Sequence, residues 1–176
     1  MERLARTIDG LSEQTGRIVA WLALVLVVLQ FGLVVLRYVF GINDRASEEL
    51  LLYLHGTLFL LAAAFTLKHQ GHVRIDLSYR DASARTQAWI DLAGTIFFLL
   101  PICALIGWAA WPFVENAWVS KEGSIETSGL PFKYIYKSVI LVFVAMMALQ
   151  GFAQAIKAWL VLKGRGEIDE PDAPAL

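Results

Sequence analysis

Residues 18–36 read IVAWLALVLVVLQFGLVVL, with one polar amide, Gln30, and no charge. An α-helix rises 1.5 Å per residue, so this run measures about 28 Å, close to the hydrocarbon thickness of a bilayer. Three more apolar runs follow, at about 50–67, 89–114 and 138–156, the last extending through Trp159 and Leu160. Their lengths predict an all-α integral membrane protein of four transmembrane helices.

The composition agrees. Hydrophobic residues make up 57% of the 176, above the roughly 45–50% of soluble globular domains. A net charge of −1 and the lack of a basic, aromatic-rich patch argue against a nucleic-acid partner. Cys103 is the single cysteine, which excludes an internal disulfide and a thiolate-rich metal site. The polar connections are too short for a soluble catalytic domain, so the chain is not expected to be an enzyme.

Outward from the first run, residues 1–16 are polar but carry Leu4, Ile8 and Leu11 at helical spacing. They are expected to form a short amphipathic helix lying on the membrane surface. A cleaved signal peptide is the rival reading, because Arg3 and Arg6 precede the apolar run. That run is too long for a signal core, and no small-x-small site follows it. Between the first two runs, Gly41-Ile42-Asn43-Asp44 predicts a turn. Ser47 is expected to cap the second helix, with Glu48 and Glu49 in its first turn. Pro101 lies inside the third run and predicts a kink. Gly129-Leu130-Pro131 is expected to open the fourth helix with proline in its first turn. Residues 1–162 then form one transmembrane domain, and 163–176 a disordered tail.

Orientation follows from the basic side chains. If the amino terminus is cytoplasmic, ten lysines and arginines fall inside and five outside, which favours both termini in the cytoplasm. Trp21, Trp89 and Trp159 then mark the inner ends of spans, and Tyr38, Trp111, Trp118 and Tyr134 the outer ends.

Few residues offer chemistry. His55 is the one histidine within a span. His69 and His72 lie about 21 Å or more farther along the helix axis, so one chain cannot present two haem ligands at one depth. No cofactor is expected, and His55 reads as a packed or hydrogen-bonding side chain. His69, His72 and Asp76 have loose spacing and sit among basic residues, which suits membrane or partner contacts better than a metal. Asp91 and Glu115 lie near span ends and read as solvated or ion-paired carboxylates. Gln30, Gln150 and Gln154 are expected to face protein and hydrogen-bond across helices, with Gly151 beside the latter two.

Several stretches resemble the small membrane subunit of tripartite ATP-independent periplasmic (TRAP) transporters, the DctQ-like proteins. They are Arg37-Tyr38-Val39-Phe40-Gly41, Ser47-Glu48-Glu49-Leu50, His72-Val73-Arg74-Ile75-Asp76-Leu77, Thr127-Ser128-Gly129-Leu130-Pro131 and Leu149-Gln150-Gly151. One departure is the lack of a tryptophan between Arg37 and Glu49. The resemblance implies a bacterial inner-membrane scaffold for a large multi-span subunit, working with a periplasmic substrate-binding protein in sodium-coupled uptake of an organic acid. It implies no catalytic, metal or substrate site here. Arg37, Glu49, His72, Asp76, Gln30, Gln150, Gly151 and Gln154 are the candidates for contact with the large subunit or with membrane lipids. The alternative reading is the membrane anchor of an electron-transfer complex, with or without haem.

Overall fold

The computed structural model describes residues 1–72, 79 and 82–164. Its helices are α1 (Glu2–Phe40), α2 (Arg45–Lys68), α3 (Ala84–Gly94), α4 (Leu100–Val119) and α5 (Lys133–Leu162), with a π-helical segment, Thr95–Leu99, between α3 and α4. Ala84–Val119 therefore forms one continuous crossing, and four helices are long and apolar enough to span a membrane.

The first helix departs from expectation. Residues 1–16 are helical, but they continue into the first span without a break, so no separate surface helix forms. No proline interrupts this stretch, and the helical hydrogen bonds simply propagate. The packed face also differs from the Leu4–Ile8–Leu11 stripe. Ala5, Ile8, Ser12, Gly16 and Val19 are buried, while Leu4 and Leu11 stay exposed. This face, with positions three and four apart, packs on α5 where Ala5 and Ile8 meet Ala153 and Ile156, and on α2 where Gly16 admits the Phe65 ring.

Gly41 ends α1 in the left-handed region, φ 68°, and its N–H returns to the Leu36 carbonyl. Asp44, not Ser47, caps α2. Its carboxylate accepts the Ser47 N–H at 3.2 Å and also the Ser47 hydroxyl. The reason is positional: the helix begins three residues early, and an aspartate there meets both the free N–H groups and the positive helix end.

Where a kink was expected at Pro101, a π-helical segment, Thr95–Leu99, lies just before the proline. The Leu100 N–H there reaches the Thr95 carbonyl, five residues back. Pro131 precedes α5 instead of lying in its first turn, because Phe132 is the N-cap. The loop supplies a partner to the helix start, the Tyr134 N–H donating to the Glu122 carbonyl at 3.1 Å.

α5 is the common partner, packing against α1, α2 and both halves of the third crossing. The interior is thin and rich in small residues. Ala64, Cys103 and Met147 form one cluster, and Ala88, Leu92 and Ala158 another. Many large apolar side chains point outward, among them Trp21, Phe31, Phe97 and Trp108. This is the pattern of a protein solvated by hydrocarbon or by another membrane protein.

Candidate partner surface

The polar side chains fall into three sets. The first ties α1, α2 and α5 together near the amino terminus. Gln150 is fully buried. Its oxygen accepts the Ser12 hydroxyl, and its nitrogen donates to Asp9 at 2.9 Å. Asp9 also pairs with Lys157 at 2.9 Å. One turn along, Gln154 donates to the Leu67 carbonyl at 2.8 Å. Beside them Glu13 gathers Lys68 at 2.7 Å, His69 at 2.9 Å and Arg17 at 3.1 Å. Gly151 faces the π-helical segment, and a Cβ there would come within 2.5 Å of Leu99.

The second set fixes loop 120–132 at the other end. Glu49 accepts the Ser124 hydroxyl and, at 2.8 Å, the Leu130 N–H. A side chain at position 129 would collide with Ser124 and crowd Glu49, so the clasp needs glycine there. Glu122 is held by Lys137 and by Lys133 at 3.1 Å. These two ammonium groups hold its carboxyl below the ordinary carboxylate range. Trp118 donates to Ser138 at 2.7 Å, with Lys121 stacked over its ring. The loop thereby presents Ile125, 92% exposed, on a fixed frame.

The third set lines a groove between α1 and α2. Val27, Phe31, Leu51 and Leu52 form apolar walls around Gln30 and His55, with Glu48 at one end of an open groove of about 670 Å³. The groove runs on past Gln30 to a charged rim. There Arg37 donates to Asn43 at 2.8 Å and pairs with Glu48 at 3.4 Å, while Arg45 meets Glu48 at 2.8 Å.

Gln150 and Gly151 are buried within this chain and Gln154 is half-buried, the two amides bonded to α1 and α2. Glu49 and Arg37 are engaged within the chain as well. Gln30 is the exception among the three span glutamines: it is exposed, and neither it nor His55 has a hydrogen-bond partner among the described residues. His72 is exposed, 3.3 Å from the Ala63 carbonyl. Asp76, with residues 73–78, lies outside the described residues, as do residues 165–176 of the tail. Asp91 accepts the Tyr79 hydroxyl at 2.7 Å, and Glu115 is exposed. Sequence reading missed Asp9, Ser12, Glu13 and Lys157 as structural polar groups. The signal was present as acidic residues four apart in α1 and a polar stripe at 150, 154 and 157 in α5.

A family model for tripartite ATP-independent periplasmic transporters, DctQ component, matches residues 26–161. The chain belongs to the DctQ family. It is the small membrane component of a TRAP transporter, which decides between the transport and electron-transfer readings. No curated protein and no solved structure matches. The family match covers the α1–α2 groove, the Glu49 clasp and nearly all of α5. Residues 1–25, which include more than half of α1 with Asp9, Ser12 and Glu13, precede it.

Proposed function

We propose that this DctQ-family chain is a scaffold, non-enzymatic, that anchors the large multi-span subunit of a sodium-coupled transporter for an organic acid. The observation that carries the reading is mechanical. Polar clasps at both ends lock the helices to one another, while most of the large apolar side chains face outward. A body of this kind can stand still in the bilayer and widen a neighbour that it grips. The transport domain of that neighbour then moves against a fixed frame, and a periplasmic binding protein delivers the substrate. The scaffold lies in the bacterial inner membrane with both termini in the cytoplasm, and loop 120–132 faces the periplasm.

Reconstitution tests this. The large subunit and binding protein, in liposomes with a sodium gradient, should take up the organic acid only when this chain is present. Full sodium-driven uptake in its absence would remove the scaffold role. Uptake by this chain alone would make it a transporter in its own right.

A further inference from the structure

The three span glutamines meet different fates. Gln150 and Gln154 are satisfied inside the chain, whereas Gln30 points out of it, beside His55, in a groove whose walls are otherwise hydrocarbon except for Glu48 at its rim end. α1 and α2 are antiparallel neighbours. Gln30 lies six residues before the end of the first apolar run and His55 five residues after the start of the second, about 9 Å and 8 Å from the same boundary. Both side chains therefore sit at one depth, well inside the hydrocarbon. Acyl chains can neither donate nor accept a hydrogen bond, so lipid in the groove would leave an amide and an imidazole unpaired.

Resting on the scaffold reading above, we propose that the α1–α2 groove seats one transmembrane helix of the large subunit, and that this helix carries a polar side chain that hydrogen-bonds to Gln30 and His55. The complementarity defines the occupant. The amide offers donors and an acceptor, and the imidazole ring carries two nitrogens that can hydrogen-bond, so a hydroxyl or amide side chain on the incoming helix satisfies both. Val27, Phe31, Leu51 and Leu52 supply the apolar contact around this polar centre. The rim charges, Arg37, Arg45 and Glu48, are already paired with one another, so the groove calls for a neutral helix and not a charged one.

The test uses the intact complex in membranes. A photo-crosslinking side chain at Val27→benzoylphenylalanine or Leu52→benzoylphenylalanine should form an adduct with the large subunit. The double variant Gln30→Leu, His55→Leu should retain roughly five- to tenfold less large subunit on co-purification, as expected for two interhelical hydrogen bonds. The thermal unfolding of the variant chain alone should not change, because neither residue has a partner within it. Should the variant fail to accumulate, the crosslink decides. Adducts with a second copy of this chain, or adducts with lipid only, overturn the assignment. The two readings fail in different ways. If the large subunit does not co-purify with the unsubstituted chain, the scaffold reading falls and the groove assignment with it. If it co-purifies equally with the double variant and no adduct forms, the scaffold stands and the groove assignment falls.

Discussion

Ser12 and Gln150 lie 138 positions apart, and the Ser12 hydroxyl donates to the Gln150 oxygen at 2.6 Å between α1 and α5. Because the same amide also donates to Asp9, one side chain joins two turns of α1 to the central helix. In a bilayer, where apolar contact gives little preference for protein over lipid, such bonds help choose which helices meet.

Gln150→Leu should therefore lower stability by about 1 kcal/mol and leave the fold intact. It removes a hydrogen bond of modest worth and leaves Ser12 short of a partner, while Asp9 keeps Lys157. Thermal unfolding of the purified chain in detergent measures this. An unchanged midpoint would show that the Ser12–Gln150–Asp9 junction does not hold α1 in place.

Gly151→Leu should cost more, about 2 kcal/mol, by forcing α5 away from Leu99 and Thr95 of the π-helical segment. The same unfolding assay ranks the two variants. A Gly151→Leu effect smaller than that of Gln150→Leu would mean that the contact relaxes without separating the helices.

Glu49→Ala should release loop 120–132 without unfolding the spans. A spin label introduced by Ile125→Cys should be more mobile in the Glu49→Ala background than in the parent. Equal mobility would show that the Glu122–lysine contacts hold the loop unaided.

The Glu122 carboxyl sets the direction of a pH effect. Its folded pKa lies below the unfolded value of 4.5, so its contribution is complete above 4.5 and fades as pH falls below it. The same spin label should loosen progressively as pH falls below 4.5. Glu122→Gln should be loose above and below that pH. A parent response as flat as that of the variant would rule out this ion cluster as the restraint.

Cysteine labelling reads the orientation. Ser124→Cys should react with an impermeant reagent from the periplasm, and Asp172→Cys should not. Labelling of position 172 from outside would invert the assignment.

The spans were legible because each is a long apolar run, and periodicity is not needed to find a helix that hydrocarbon surrounds. Helix ends were less so. Asp44 and Ser47 are both good caps, and only tertiary structure selects between them. The continuity of α1 was hidden because a polar stretch before a span looks the same whether it bends away or continues. The interhelical role of Gln150 and Gln154 was readable from their shared face. Gln30 was not separable from them, because a helix apolar all round has no moment to say which way one amide points. The partners Asp9 and Glu13 looked like surface charge, and their meaning appeared once α5 lay beside them.

The unbroken α1 has one more consequence. Its 39 residues make a rod of about 58 Å, nearly twice the hydrocarbon thickness. Glu13 near one boundary and Arg37 near the other are 24 residues apart, a spacing of about 36 Å. These charge rows act as a gauge of bilayer thickness. A membrane a few ångströms thicker would draw the Glu13–Lys68 pair toward acyl chains unless the bilayer thinned around it, and a thinner one would tilt the rod. The chain thus carries within one helix a preference for the membrane in which its complex assembles.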